Sequence, residues 1–292
     1  MQKIINQIYW DTTNNTYLSG THLKKRANNQ VDFKNALMAP GKTIVKWNSS
    51  TDYQMTKEVP RLPMLINRHK YVINIKDRVY PEGTCTYRLC FYNLQGEEVQ
   101  NLFFKVNEYE FTFPKDAVSY TFELVNTGCM RVVFSRVQIA EKGLPDEIFD
   151  DVFYGKKINA KSLDPINLIL VADSKRSRKI WPELEESIPN VPLQLINIAW
   201  QHEGDLAQEL KDWVGVNIET GFRIISSSSR FDPAMEEVKK MFPQISVLTS
   251  TEFARNAQKV ASYNEVNDWY SENIYDPDWL LIVQEINDYF RK

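Results

Sequence analysis

Apolar and polar residues alternate along the chain between residues 71 and 113. Tyr71, Ile73 and Ile75 fall on one face of a predicted strand, and the alternation resumes after turns at residues 80–83 and 93–96. Such alternation, broken by glycine-bearing turns, is typical of antiparallel strands with one buried and one solvated face. A face this aromatic needs a second layer, so we predict a two-sheet β-sandwich. Its phase assigns five aromatic residues to the core: Tyr71, Tyr87, Phe91, Phe111 and Phe122.

Further short strands are predicted on both sides of this stretch. They fall at residues 4–10, 17–18, 43–47, 119–125 and 129–139, each separated from the next by polar or glycine-bearing turns. Eight to ten strands spaced in this way are typical of a jelly-roll-like sandwich. We therefore predict an antiparallel β-sandwich domain over residues 1–140.

The pattern changes in the second half of the chain. Residues 141–164 are predicted to form a linker with a short amphipathic helix at residues 144–153. The continuous apolar run from Ile166 to Ala172 is typical of a strand buried on both faces. Three more strands, at residues 191–198, 222–226 and 245–249, alternate with helical segments, so residues 165–292 are predicted to form a small doubly wound, Rossmann-like α/β domain with a parallel sheet. The helical segments are at residues 180–188, 203–214, 233–241, 252–261, 265–272 and 278–289.

The length of the chain agrees with two domains, and its net charge argues against some classes of function. A chain of 292 residues exceeds the usual size of one domain. Its net charge of −3 argues against a nucleic-acid binder or a protein held on anionic membranes by a basic face. We find no signal-peptide pattern in residues 1–15 and no apolar stretch of the ~20 residues that span a bilayer.

The three cysteines are scattered along the chain. Cys85 and Cys90 fall on opposite faces of one predicted strand, so they are not expected to pair with each other, and Cys129 is distant in sequence. No Cys/His spacing resembles a zinc site. We therefore expect no metal and a reducing, cytoplasmic environment.

Polar residues follow the predicted parallel strands, where open α/β sheets bind ligands. One interpretation is an anion or sugar-phosphate pocket; the alternative is that loops leaving strands are polar and cap the next helix. No glycine-rich phosphate loop accompanies any strand, which favours the alternative and predicts no nucleotide cofactor. The residues of the candidate α/β pocket are Asp173, Ser174, Lys175 and Arg230.

Ser174 also raises the question of a hydrolase. A serine nucleophile needs a histidine base oriented by a third group. The chain has only His22, His69 and His202, and no histidine follows residue 202. We therefore predict no catalytic residues and a chain that is not an enzyme.

Aromatic residues near polar loops of the sandwich offer a second candidate site. Carbohydrate-binding sandwiches place an aromatic face against a sugar ring, with amides and carboxylates for its hydroxyls. Aromatic residues in sheets more often belong to the core, which is the alternative here. The candidate carbohydrate-binding residues are Trp10, Trp47, Asn48, Asp52, Tyr53 and Arg61.

Several segments of the first 140 residues, taken in order, resemble a known family. They are residues 37–43 with Trp47, residues 51–54, residues 62–65, residues 80–84 and residues 91–98. Together they are similar to the accessory secretory protein three family of the accessory Sec system, which serves the export of serine-rich repeat glycoprotein adhesins in Gram-positive bacteria. The second half of the chain has no such match.

The resemblance implies a non-catalytic role and a sandwich similar to a carbohydrate-binding module. Members work in a complex with two partners, one glycosyltransferase-like and one acyl-hydrolase-like, and help bring the glycosylated adhesin to the accessory Sec motor and channel. The complex is implied to be cytoplasmic, with at most peripheral membrane association, and N-acetylhexosamine on the adhesin is an implied ligand. The alternatives are a carbohydrate-active enzyme, with a glycosyltransferase-like or esterase-like α/β domain, and a scaffold without glycan affinity.

Overall fold

The computed structural model describes residues 3–11, 15–26, 29–51, 54, 59–159, 165–180, 191–200, 202, 204–217, 221–252 and 289–290. They divide into two compact units, Ile5–Pro145 and Asp146–Lys292 with Met1–Ile4. No helix among these residues has the length and hydropathy needed to cross a bilayer. The strands of the first unit are β1 (Lys3–Ile8), β2 (His22–Lys25), β3 (Val31–Lys34), β4 (Thr43–Asn48), β5 (Lys70–Tyr80), β6 (Cys85–Tyr92), β7 (Glu98–Phe104), β8 (Glu108–Thr112), β9 (Ser119–Asn126) and β10 (Arg131–Glu141).

The first unit consists of two antiparallel sheets. One has the strand order β4-β9-β6-β7. In the other, β5 pairs with β10 from Tyr71 to Tyr80, while β1 and β3 share the opposite edge of β10. Strands β8 and β2 extend this sheet by pairing with β5 and β3. The layered antiparallel architecture that the alternation predicts is therefore present, and the jelly-roll connectivity stays a prediction.

Aromatic rings fill the space between the two sheets. Trp47 on β4 stacks on Phe134 on β10, with ring centroids 5.3 Å apart, and Phe91 on β6 lies 5.9 Å from Phe111 on β8. Buried aromatic side chains each remove a large apolar area from water, so this layer dominates the stability of the unit. The core assignment is confirmed for the five predicted residues, each at most 5% exposed: Tyr71, Tyr87, Phe91, Phe111 and Phe122.

Two strands of this unit, β2 and β3, were not predicted. Strand β2 is almost entirely solvent-exposed and therefore carries no alternation of apolar residues. At the predicted strand near residues 17–18 the structure has only an isolated bridge between Thr16 and Val45. Short edge strands of this kind are specified by their neighbours rather than by their own sequence.

The three cysteines are free and buried. The thiols of Cys85 and Cys129 form a hydrogen bond, a contact that their separation in sequence does not reveal. This hydrogen bond, together with burial, raises the pKa of the Cys85 thiol. The thiol is therefore protonated and unreactive in the folded chain.

The second unit contains a mixed sheet with four parallel strands. The sheet is formed by β11 (Val152–Tyr154), β12 (Ile166–Ala172), β14 (Leu193–Ile198), β15 (Phe222–Ser226) and β16 (Ser246–Leu248), whereas β13 (Ser177–Ile180) lies outside it. The sheet order is β11-β14-β12-β15-β16, in which β11 alone is antiparallel to its neighbour. The order reverses between β12 and β15, which is where open α/β sheets form their ligand crevice.

Two helices, α1 (Leu206–Asn217) and α2 (Asp232–Met241), pack on one face of this sheet. Their apolar side chains, among them Leu210 and Val238, share a buried cluster with the sheet. The opposite face buries Ile169 against Tyr289 and Phe290. Most of the helices predicted between residues 180 and 289 lie outside the described residues, so the doubly wound arrangement stays a prediction.

The segment between the two predicted domains differs from its prediction in secondary structure. Within the predicted linker, residues 141–164, Asp146–Phe149 forms one 3₁₀ turn. Strand β11 follows and pairs with β14, so this segment is part of the second sheet. A three-residue strand is too short to show the two-residue alternation of a strand, so the sequence there favoured the end of a helix. Likewise Ile180, the predicted start of a helix, is the last residue of β13.

Candidate functional site

The two tryptophans proposed as a sugar platform lie in the core of the sandwich. Trp10 is 2% exposed and Trp47 is 4% exposed. Trp10 stacks on Phe33, and Trp47 lies between Phe122 and Phe134. A ring buried to this extent among other rings has no face left for a sugar, so the structure contradicts the platform prediction for these two residues and favours the core alternative.

Two of the other predicted residues do lie close together. The backbone N–H of Arg61 donates to the Asn48 carbonyl at 3.0 Å, and the Arg61 guanidinium is 3.6 Å from the Asp11 carboxylate. Asp52 and Tyr53 lie outside the described residues. The hydrogen bond therefore ties Arg61 to the last residue of β4.

The solvent-facing side of the four-stranded sheet, which we call the outer face, brings polar and aromatic side chains into rows. Strand register places Arg88 beside both Glu123 and Phe103, and Lys46 beside Glu123. A second row of side chains lies on the same face, two residues from the first row along each strand. It consists of Asn48, Thr121, Cys90 and Asn101.

Glu123 is the best-ordered group of the outer face. Its side chain is 2% exposed, because Arg88 Nη2 lies 2.6 Å and Lys46 Nζ 3.6 Å from its carboxylate. The Thr43 hydroxyl donates to the same carboxylate at 2.9 Å. Two cations thus surround one anion, and both of them reach solvent. The outer face is consequently cationic around a fixed carboxylate.

Phe103 supplies an exposed aromatic ring beside this cluster. The ring is 58% exposed, and the Arg88 guanidinium carbon lies 5.9 Å from its centroid. An exposed ring next to amide and charged groups is the combination that binds a sugar, with its apolar face on the ring and its hydroxyls on the polar groups. Sequence reasoning missed this residue because β7 alternates only weakly.

In the second unit, the Asp173 carboxylate forms a buried ion pair with Arg178. Arg178 Nε donates to its Oδ2 at 2.7 Å, and both side chains are fully buried. Arg178 also donates to the carbonyls of Ile148 and Asp150, at 2.6 and 2.7 Å. This ion pair joins the end of β12 to residues 148–150, so the Asp173 carboxylate is committed to holding the chain.

The Ser174 hydroxyl forms hydrogen bonds within its own turn. Its hydroxyl accepts from the backbone N–H of Ser177 at 3.0 Å and donates to the Ser177 carbonyl at 3.1 Å. Across the described residues, no hydrogen bond joins it to a histidine. The pair that an esterase needs is therefore not assembled here.

Arg230 lines a cavity of about 270 Å³ at the carboxyl end of the parallel strands. His202 forms part of its wall, whereas Asp173, Ser174 and Lys175 are not among its lining residues. The structure thus separates Arg230 from the other three residues of the predicted pocket and joins it instead to His202. Across the described residues, no group of three acidic, histidine or cysteine side chains is placed to hold a metal.

Comparison with known proteins bears on the first unit. The family model described as Accessory Sec secretory system ASP3 matches residues 16–141. The accessory Sec system protein ASP3 of Streptococcus gordonii is 33% identical over 126 residues, which are 43% of this chain and 79% of that protein. The chain belongs to the ASP3 family of the accessory Sec secretory system.

Two further similarities extend this finding. The ASP3 protein of Staphylococcus aureus is 26% identical over 115 residues, 39% of this chain and 36% of that protein. A chain of the Glycosylation Associate Protein (Gap123) complex from Streptococcus agalactiae matches 97% of this chain and 87% of its own length, with a TM-score of 0.56 and 21% identity. The family match therefore covers the sandwich, while the likeness in fold extends over both units.

Proposed function

We propose that this chain is a non-catalytic component of the accessory Sec export system. It acts in a heteromeric complex with two other accessory secretory proteins, one glycosyltransferase-like and one acyl-hydrolase-like, and helps deliver a glycosylated serine-rich repeat adhesin to the accessory Sec motor and channel. The observation that carries the proposal is the family match across residues 16–141. The site of action is the cytoplasm, with peripheral association at the inner face of the membrane.

The same proposal assigns glycan binding to the outer face of the four-stranded sheet. Phe103 offers the ring, Arg88 and Asn101 offer donors, and Asn48 lies in the same row of the face as Asn101. A flat sheet face is open at both ends, so it suits sugars displayed along an extended chain. N-acetylhexosamine on the serine-rich adhesin is the ligand that fits this role.

Complex formation is tested by expressing the chain alone and together with the two partner proteins. Size-exclusion chromatography with light scattering then gives the mass of each peak. One peak with the mass of a heteromer is expected for the co-expressed proteins. A chain that still elutes alone, while the two partners elute elsewhere, would remove the basis of the proposal.

Glycan binding is tested on the same complex with a serine-rich peptide bearing N-acetylglucosamine. Phe103→Ala is expected to weaken binding at least tenfold. Tyr80→Ala is the matched control, because Tyr80 is also an exposed ring, 43% exposed, with the Arg131 guanidinium carbon 5.5 Å from its centroid. Equal effects of the two substitutions would assign the glycan to another surface and leave complex formation untouched.

A further inference from the structure

The cavity of the second unit, which we call the His202 cavity, is built at the start of both described helices. Residues 204–207 line it where α1 begins, and residues 231, 233 and 234 line it where α2 begins. The helices are 12 and 10 residues long. Each helix start carries a partial positive charge and backbone N–H groups without partners inside the helix, so the two starts together favour an anion.

The imidazole of His202 is an independent sign of a ligand. Its side chain is 6% exposed, and neither ring nitrogen has a hydrogen-bond partner in the described part of the chain. The nearest charge is the Glu209 carboxylate, 3.6 Å from Nε2. A buried polar group without a partner destabilises a fold, so such groups in native proteins are usually satisfied, and a ligand in the cavity would satisfy this imidazole.

Arg230 is held at the edge of the same cavity. Its guanidinium carbon lies 5.7 Å from the Trp200 ring and 5.9 Å from the Phe231 ring, and Nη2 donates to the Ala199 carbonyl at 3.2 Å. A guanidinium fixed in this way has a defined orientation, and the planar guanidinium matches the geometry of a phosphate group.

Carboxylates also face the cavity, and they restrict the ligand. Asp205 and Glu237 line it. One oxygen of Asp205 accepts the backbone N–H of Gln208 at 3.1 Å, so this carboxylate caps α1. The outer carboxylates repel a bare polyanion but accept hydrogen bonds from hydroxyl groups. The ligand that fits has an anionic end and a hydroxylated end.

We propose that the His202 cavity binds a small sugar phosphate. The phosphate lies at the two helix starts beside Arg230, and the sugar hydroxyls contact His202 and Glu237. A volume of about 270 Å³ holds a monosaccharide phosphate and is too small for a dinucleotide. This proposal does not depend on the function proposed for the sandwich.

The test is isothermal titration calorimetry of the full chain with glucose 1-phosphate, with inorganic phosphate and glucose as separate probes. Glucose 1-phosphate is expected to bind more tightly than either fragment. Arg230→Gln is expected to weaken its binding at least tenfold. Arg223→Gln, on the same strand-to-helix segment and outside the cavity lining, is the matched control and is expected to bind as the native chain does.

A second variant tests the buried imidazole without removing it. A side chain at position 204 would overlap both His202 and the Glu209 carboxylate, so Gly204→Ala must displace them. It is expected to weaken glucose 1-phosphate binding while leaving the circular dichroism spectrum unchanged. No heat of binding with glucose 1-phosphate, or equal affinity in native chain, Arg230→Gln and Gly204→Ala, would overturn the proposal. Inorganic phosphate binding as tightly as the sugar phosphate would overturn its sugar part.

Discussion

The two units each bury a carboxylate, and they do so in different ways. Glu123 in the sandwich is covered by Arg88 and Lys46, whose side chains are 31% and 36% exposed. Asp173 in the second unit is paired with Arg178, and both side chains are inaccessible to water. The first cluster stands on a surface where a ligand can reach its cations. The second is sealed and serves only to hold segments together.

The two clusters differ in what their charged groups can contact. Those around Glu123 are accessible to a ligand, whereas the Asp173–Arg178 pair is buried and only stabilises the fold. Charge on the sandwich is spread over an open sheet face and remains available to a partner or glycan. In the second unit, the charged side chains of Asp205, Arg230 and Glu237 line the His202 cavity, whereas the Asp173–Arg178 pair is not part of its lining. A sheet face suits an extended chain, whereas a concave cavity suits a small molecule, so the two units are expected to bind different classes of ligand.

The largest effect is expected from breaking the sealed pair. Arg178→Met leaves the Asp173 carboxylate buried without its cation, and removes three donors from backbone carbonyls. Loss of one partner of a buried pair lowers the free energy of unfolding by about 3–5 kcal/mol. Denaturant unfolding measures this loss.

The matched substitution in the sandwich is Arg131→Met. Arg131 also pairs with an acidic residue, Asp32, but its side chain is 36% exposed. Its removal is expected to cost much less, because Arg26 and Lys34 also lie 3.9 and 4.0 Å from the Asp32 carboxylate. Equal losses for Arg131→Met and Arg178→Met would contradict the distinction between open and sealed pairs.

A loss of similar size is expected for Trp47→Ala. The substitution empties the space between Phe122 and Phe134, and such truncations of buried aromatic residues cost about 3–5 kcal/mol. Glycan binding is expected to survive at temperatures where the variant is folded. A variant of native stability that no longer binds glycan would restore Trp47 to the sugar platform.

A smaller effect is expected from Asp77, at the edge of the sandwich core. Burial raises the pKa of its carboxyl to about 6, and hydrogen bonds from Tyr87 and Asn107 only partly offset the burial. The folded state therefore binds this proton more tightly than the unfolded chain. Stability is then full below the unfolded pKa near 4, falls between pH 4 and pH 6, and is constant above.

Asp77→Asn removes that pH dependence. At pH 7 the variant is expected to be more stable than the native chain by about 1–2 kcal/mol, after allowance for partial exposure. At pH 4 the two are expected to unfold alike. Thermal unfolding at the two pH values measures the difference; a native chain whose stability rises between pH 4 and pH 6 more steeply than that of the variant would contradict the expected sign.

The regular elements were predictable because their sequences carry a period. Strands β12 and β15 were predicted with the bounds that the structure has, since both are rich in apolar residues and β12 is apolar without a break from Leu168 to Ala172. Strands β2, β11 and β13 were not, because each has only three or four residues and is fixed by its neighbours. Periodicity reports burial of a strand, and it gives no information on strands that are short and exposed.

The sites were less predictable than the fold. The polar residues near Trp47 in the sequence favoured a binding site. Trp47 nevertheless falls on the same face of its strand as Val45, which is 1% exposed, and this position indicates the core. The carbonyls that Arg178 binds come from residues 148–151, and the cavity joins His202 to Arg230; neither contact follows from spacing along the chain. Such constellations depend on the order of strands in the sheet, which sequence alone left open.

The smallest effect on stability is expected on the outer face itself. Phe103→Ala removes a ring that is 58% exposed, so the free energy of unfolding should change by about 0.5 kcal/mol or less. Tyr80→Ala is expected to behave in the same way, which makes the pair a matched comparison for glycan binding. A residue that contributes little to stability and much to glycan binding belongs to a binding surface. If Phe103→Ala destabilised the sandwich as strongly as Trp47→Ala, the outer face would be part of the core, and the contrast between the two units would no longer hold.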